Sequence, residues 1–262
     1  MTPWPDLDFD FKPGDVHVWA IALDMKPKVL ARIASVLNAA ELEQGRRFRF
    51  VHDRDRFIAG RCAIRILLGH YLKLKPQKLT FAYGSAGKPF LTSSALDRHV
   101  HFNFTHSDNV ALLAVTQTEP VGIDIERLDS LNDLDAIMIQ VASPEERHRF
   151  CGLEGMEKRV AFFKLWTRKE AWLKATGNGI TQLLTSVEVT FLPGEPARLI
   201  RVPIGSETPS FWRLYDVPTP TGFAGALCIQ TEADFLNRRF YDDTTSSHVV
   251  MGFSKMLDIA YG

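Results

Sequence analysis

Two short runs hold the groups best suited to chemistry: Val121-Gly122-Ile123-Asp124-Ile125-Glu126 and Trp166-Thr167-Arg168-Lys169-Glu170-Ala171-Trp172-Leu173-Lys174. In the first, Asp124 and Glu126 stand two residues apart in a β-branched stretch. The two-residue period of a strand puts both carboxylates on one face and Val121, Ile123 and Ile125 on the other. The second run lies in an apolar-periodic segment, residues 160–175, that predicts a helix. Trp166, Glu170 and Lys174 fall there at i, i+4 and i+8, along one side. Three acidic oxygen donors and one ammonium suit Mg2+ and a phosphate ester. Taken singly, each pair has an ordinary reading as well, a solvent-facing strand for Asp124 and Glu126 and an exposed helical pair for Glu170 and Lys174. Glu170 sits among large apolar residues, however. It is expected to be partly buried, and a buried carboxylate needs a partner.

The elements that must carry these residues are legible from periodicity and breakers. Strands are expected over residues 16–23, 79–83, 101–105, 110–115, 121–125, 187–191, 211–217 and 223–229. Helices are expected over 29–37, 53–74, 134–141 and 157–175, the second ending before Pro76 and the last stopped by Gly177 and Gly179. Ser143-Pro144-Glu145-Glu146 reads as a helix start, with serine as cap and proline in the first turn. The order of strand, helices and strands occurs twice, which predicts an α+β chain built from two similar halves. The expected divisions are 1–118, 119–235 and a C-terminal extension, 236–262, in which a short apolar-periodic piece suggests an attached helix.

Composition narrows the function classes. The chain has 262 residues, 45% hydrophobic and 24% charged, with a formal net charge of zero. That excludes a global electrostatic pull toward nucleic acid or anionic lipid. Locally, Arg46, Arg47, Arg49, Arg54, Arg56, Arg61 and Arg65 crowd one region, either a phosphate-facing surface or a solvated helix face. Cys62, Cys151 and Cys228 are odd in number and scattered, which favours a reducing compartment over a disulfide framework or a zinc site. The acidic, proline-containing N-terminus lacks the pattern of a signal peptide, and the longest apolar runs, such as 110–115, fall far short of a membrane span. A cytoplasmic protein is expected. In the striped run His99 to His106, Val100, Phe102 and Phe104 are expected to face inward and His99, His101, Asn103 and Thr105 the other way. His99 and His101 have no third ligand at useful spacing, so zinc is not expected. Gly87-Lys88-Pro89 is a tight turn offering one ammonium, and His106 at a strand end could donate to an anion.

In order and at these separations, the pieces resemble the Sfp-type 4'-phosphopantetheinyl transferases. The resemblance covers about residues 45–180 and rests on Gly87-Lys88-Pro89, Phe102-Asn103-Phe104-Thr105-His106-Ser107, Gly122-Ile123-Asp124-Ile125-Glu126, and Trp166-Thr167-Arg168-Lys169-Glu170-Ala171 with Lys174. It implies two halves related by a pseudo-two-fold axis, with coenzyme A (CoA) bound between them. It implies transfer of the 4'-phosphopantetheine arm to a serine of an apo acyl or peptidyl carrier protein, with release of 3',5'-ADP. By the same resemblance Asp124, Glu126 and Glu170 match Mg2+ ligands, and Asp124, Glu170 and Lys174 are the catalytic set, with Glu170 or a metal-bound water as base. His106 and Lys174 match pyrophosphate contacts. Lys88 and Pro89 match the nucleotide end, and Arg46 or Arg47 a 3'-phosphate contact. Thr105 stands where relatives often carry serine, which keeps the hydroxyl. A monomer would suffice. The competing readings are a non-catalytic CoA-binding scaffold and a Mg2+-dependent phosphoesterase.

Overall fold

Alternation along the strands sorts them into two small sheets, each backed by one long helix, and this doubled plan is what positions the site. The computed structural model describes residues 14–85, 87–92, 100–117, 119–129, 133–177, 184–203, 209–231 and 237–241. The first half contains β1 (Asp15–Ala22), α1 (Pro27–Ile33), α2 (Ala39–Arg46), α3 (Val51–Leu72), β2 (Phe81–Tyr83), β3 (Pro89–Leu91), β4 (His101–Ser107) and β5 (Val110–Thr116). Then follow β6 (Val121–Arg127), α4 (Leu134–Val141), α5 (Pro144–Phe150), α6 (Gly155–Thr176), β7 (Glu188–Val189), β8 (Leu199–Arg201), β9 (Trp212–Asp216), β10 (Phe223–Gln230) and β11 (Asn237–Tyr241).

One sheet has the order β11-β1-β5-β4, the other β6-β10-β9, and the short pairs β2-β3 and β7-β8 stand apart. On the first sheet, Trp19, Ile21, Leu113 and Val115 pack against Ile64, Leu67 and Tyr71 of α3. On the second, Leu214, Ala226 and Cys228 pack against Phe162, Leu165 and Trp172 of α6. A third apolar cluster joins the halves: Val16, Val18, Val110, Leu112 and Ala114 meet Val121, Ile123, Ile125, Leu227 and Ile229. Each of β5 and β6 therefore splits its side chains between two layers. In β6 the apolar set goes to the other sheet, which leaves Gly122, Asp124 and Glu126 facing α6.

Several expected elements differ in detail. The helix expected over 29–37 is α1 followed by a 3-10 turn, Ala34–Val36. A helix not expected, α2, opens on a capping box in which Asn38 and Glu41 satisfy each other's backbone N–H. The strand expected over 187–191 shrinks to β7, because the backbone beyond it is diverted. The Thr190 carbonyl accepts from Arg168, while the N–H groups of Phe191 and Leu192 donate to Glu195. Residues 237–241, expected to belong to an extension, form β11 and pair in parallel with β1 of the first sheet. His99, Gly179 and the tail expected to hold a helix lie outside the described residues. No described helix is long and apolar enough to cross a membrane.

Helix α6 buries four consecutive polar residues, Thr167, Arg168, Lys169 and Glu170. Two of them fix the helix in place. Arg168 makes a bidentate bond to Asp216 on β9, at 2.8 Å to each oxygen. On another side, Lys169 donates to Glu146 of α5 at 2.5 Å and to the carbonyls of Val141 at 2.9 Å and Leu184 at 2.8 Å. Glu146 also accepts from the N–H groups of Ser143 and Val189, so every group in this knot is satisfied. Lys169→Met would leave the Glu146 carboxylate buried without its cation. The expected loss is about 3–5 kcal/mol, read as a lower urea midpoint for unfolding.

Candidate active site

The site forms where α6 lies directly on β6. Gly122 permits this approach: a Cβ there would stand 2.0 Å from the Ala171 carbonyl oxygen and 2.3 Å from the Ala175 nitrogen. With the backbones in contact, Glu170 and Lys174 on α6 come over Asp124 and Glu126 on β6, the face expected from their two-residue spacing. Strand β6 is an edge strand, and β4 supplies what its open edge lacks. Asn103 Oδ1 accepts from the Ile123 N–H at 2.8 Å, and Ser107 Oγ accepts from the Arg127 N–H at 3.1 Å. Asn103 and Thr105 are thus buried against the second half. The same stripe reaches the carboxylates: Thr105 donates to Asp124 Oδ1 at 3.1 Å and Ser107 to Glu126 Oε2 at 2.8 Å. Lys174 Nζ reaches Asp124 Oδ1 at 2.6 Å. At the end of β4, Asp108 takes Arg56 from α3 at 2.6 Å and Arg127 from β6 at 2.5 Å, a further tie between the halves.

The electrostatics follow from crowding acids in a dry place. Burial raises the Glu170 carboxyl to about 7, with Asp124 and Glu126 adding to the rise and Lys174 opposing it. Burial also raises Asp124, against the pull of Lys174 and Thr105. It raises Glu126 too, helped by Asp124 and opposed by hydrogen bonds from Ser107 and Trp166. His106, exposed near the end of β4 and beside Phe104, lies below its ordinary value of 6.5, first through partial desolvation and then through the Lys174 and Arg56 charges. At neutral pH it is therefore a neutral imidazole that can still donate one N–H.

These shifts carry a sign for stability. A carboxyl held above its unfolded value of 4.5 keeps its proton in the folded chain while the unfolded chain releases one. The magnesium-free protein is therefore expected to lose stability as pH rises from about 4.5 to about 7, and the full cost of the buried charge remains above that. Glu170→Gln should flatten this slope. Urea unfolding at half-unit pH steps measures it, and a wild-type slope of the opposite sign would overturn the assignment.

Of the residues singled out in the sequence, the structure brings Asp124, Glu126, Glu170, Lys174 and Thr105 into one neighbourhood, while His106 is exposed at its margin, within reach of the Lys174 charge. Lys88 is present by a different route. Its ammonium donates to the carbonyl oxygens of Val121 at 3.0 Å and Lys174 at 2.6 Å, so the side chain expected to meet a nucleotide is committed to backbone. Burial lowers Lys88 to about 8, and the two carbonyls facing it favour the charged form. Pro89, half-buried, opens β3. Arg46 and Arg47 lie exposed at the end of α2; Arg46 pairs with Glu43 at 3.1 Å, and neither bonds to the group around Asp124 among the described residues. Much of the arginine cluster is internally paired, Arg61 and Arg65 with Glu41 and Arg56 with Asp24. The sequence placed Ser107 and Trp166 within its motifs but gave neither a role; both hydrogen-bond Glu126. The polar period of 103, 105 and 107 was the available signal.

The donor set fits a hard divalent cation. Asp124 Oδ2 and Glu170 Oε1 are buried and accept no hydrogen bond, a costly state that an oxygen-seeking ion would relieve. The cage expected from the sequence is not preformed. Among the described residues no group of three or more His, Cys, Asp and Glu side chains stands ready to hold a metal, and Lys174 lies against Asp124. A cavity of about 240 Å3 opens beside Glu126, with Phe162, Phe163, Trp166 and Ile137 as apolar walls and Ser107 and Arg127 as polar ones.

Comparison with known proteins identifies the family. Residues 24–118 match the family model "4'-phosphopantetheinyl transferase, N-terminal", and residues 120–228 match that of the 4'-phosphopantetheinyl transferase superfamily. The chain is 40% identical over 192 residues to the 4'-phosphopantetheinyl transferase HetI of Nostoc sp., covering 73% of this chain and 81% of that one. A 4'-phosphopantetheinyl transferase of Bacillus subtilis is 30% identical over 212 residues, 81% of this chain and 91% of its own. The 4'-phosphopantetheinyl transferase Sfp of Bacillus subtilis strain 168 is 27% identical over 197 residues, 75% and 84% of the two chains. Most of both halves of the fold, and the strand and helix that carry the acidic residues, fall inside the two family matches. The chain therefore belongs to the 4'-phosphopantetheinyl transferase superfamily and, within it, to the Sfp type.

Proposed function

We propose that this chain transfers the 4'-phosphopantetheine arm of CoA to a serine of an apo acyl or peptidyl carrier protein and releases 3',5'-ADP. The observation that carries this reading is the acidic triad Asp124, Glu126 and Glu170 gathered beside Lys174, with two buried oxygens left without donors. In the reaction a serine oxygen forms a bond to the β-phosphorus of the diphosphate. The bond from that phosphorus to the bridging oxygen breaks, and the electron pair leaves with 3',5'-ADP. Negative charge grows on the leaving phosphate, so the site must offer fixed positive charge and donors there. Lys174 supplies an ammonium and His106 a neutral N–H. Mg2+, held by Asp124, Glu126 and Glu170, would supply the remaining charge neutralisation when bound. The serine must give up its proton, for which Glu170 or a water molecule in the site is the base. The cavity beside Glu126 gives the arm a place with apolar walls and a polar rim.

Arg46 or Arg47 is proposed to meet the 3'-phosphate, and Pro89 and Thr105 to border the CoA. One chain supplies both halves of the site, so a monomer is sufficient. Three free cysteines, two of them buried, accord with a cytoplasmic place of action. The test is direct: incubate the protein with CoA, Mg2+ and an apo carrier protein and weigh the carrier. A gain of one phosphopantetheine supports transfer. Bound CoA with an unchanged carrier points to a scaffold, and cleaved CoA with an unchanged carrier to a phosphoesterase.

A further inference from the structure

Helix α6 ends at Thr176, and the carbonyls of its last turn have no backbone N–H of a further helical turn to accept from. Their oxygens form the negative end of a 22-residue helix dipole. Two of them are satisfied in different ways. The Leu173 carbonyl accepts from Thr176 Oγ1 at 3.0 Å, a bond within the helix end itself. The Lys174 carbonyl accepts at 2.6 Å from Lys88, a residue 86 positions earlier in the chain and in the other half.

The Lys88 ammonium also holds the Val121 carbonyl at 3.0 Å, at the start of β6. It is presented by a stiff turn. The Gly84 N–H donates to the Lys88 carbonyl at 2.9 Å and the Gly87 N–H to the Gly84 carbonyl at 2.9 Å, with Gly87 at φ 78. One cation from the first half thus joins the end of the catalytic helix to the beginning of the catalytic strand. The same residue whose carbonyl it holds sends its side chain to Asp124 and Thr105.

We propose that Lys88 is a positioning residue: it caps the C-terminus of α6 from the opposite half and sets where Lys174 stands, rather than gripping the nucleotide. A bond of this kind acts on geometry. If it is lost, the last turn of α6 frays and the Lys174 ammonium is no longer aimed, while the surfaces that hold CoA remain. The inference rests on the reading that Lys174 and Asp124 face the CoA diphosphate.

The test compares Lys88→Met, which keeps the apolar stem and removes the donor, with Lys88→Arg, which keeps a cation. Three quantities are measured: kcat for carrier loading, the dissociation constant of CoA by calorimetry, and amide exchange of residues 173–177 and 121–123. The expected result for Lys88→Met is a kcat lower by about ten- to a hundredfold, the cost of a misplaced catalytic group. CoA affinity should stay within about threefold, exchange in the last turn of α6 should be faster, and Lys88→Arg should recover most of the kcat. Loss of CoA affinity by tenfold or more with unchanged exchange overturns the proposal in favour of a nucleotide contact. Faster exchange with full kcat also overturns it, because the bond would then be structural only. If the wild type binds CoA but loads no carrier, the functional reading fails by itself. The cap is then judged on exchange, and unchanged exchange in Lys88→Met refutes it.

Discussion

Asp124→Asn is expected to lower carrier loading by about a hundred- to a thousandfold with little change in fold stability. The residue is 2% exposed, and one carboxylate oxygen is bonded to Lys174 and Thr105 while the other accepts nothing. Asparagine keeps the shape and one acceptor for those donors but removes the charge. Two effects on stability oppose each other: the ion pair with Lys174 is lost, and a buried charge that costs free energy to desolvate is also lost. Charge at the reacting diphosphate has no such compensation. Single-turnover loading and the thermal midpoint should be measured on the same preparation. A variant that loads carrier at near-wild-type rate would remove Asp124 from the site, whatever its stability.

Gly122→Ala is expected to cost at least about a hundredfold in the same assay, although it adds a single methyl group outside any pocket. The new carbon would have to move from 2.0 Å to at least 3.0 Å from the Ala171 carbonyl oxygen. The obstacles are backbone atoms of Ala171, Lys174 and Ala175, which no rotamer change can relieve. Helix α6 must therefore lift from β6 by about 1 Å along the stretch that carries Glu170 and Lys174. A displacement of that size is enough to spoil a positioned catalytic group. Gly152→Ala is the control, since an added carbon there meets nothing within 4 Å. Full activity in Gly122→Ala would mean that the close approach of α6 to β6 does not set the catalytic geometry.

The acidic site was legible because it depends on local periods. A strand period of two placed Asp124 and Glu126 together, and helical spacing placed Glu170 and Lys174 on one side. The long helices were legible for the same reason, as were the two strands on either side of Asp108, which takes the left-handed conformation that such a turn favours. What sequence could not show are bonds whose partners are backbone groups far along the chain. Lys88 finds the carbonyls of Val121 and Lys174, and Asn103 finds the N–H of Ile123. A carbonyl has no residue type, so no spacing rule points to it. Nothing local marks Arg168 and Lys169 as interior, yet both side chains are fully buried because Asp216 and Glu146 arrive from β9 and α5. Pairing of β11 with β1 is equally nonlocal, and nothing in residues 237–241 names its partner.

The central claim is that the acidic group couples a divalent cation to the diphosphate of CoA. Calorimetric titration of CoA into the wild type and into Asp124→Asn, each with and without Mg2+, measures that coupling as a ratio of affinities. The expected result is at least about tenfold tighter CoA binding with Mg2+ in the wild type and no such gain in the variant. An equal gain in both proteins would contradict the account.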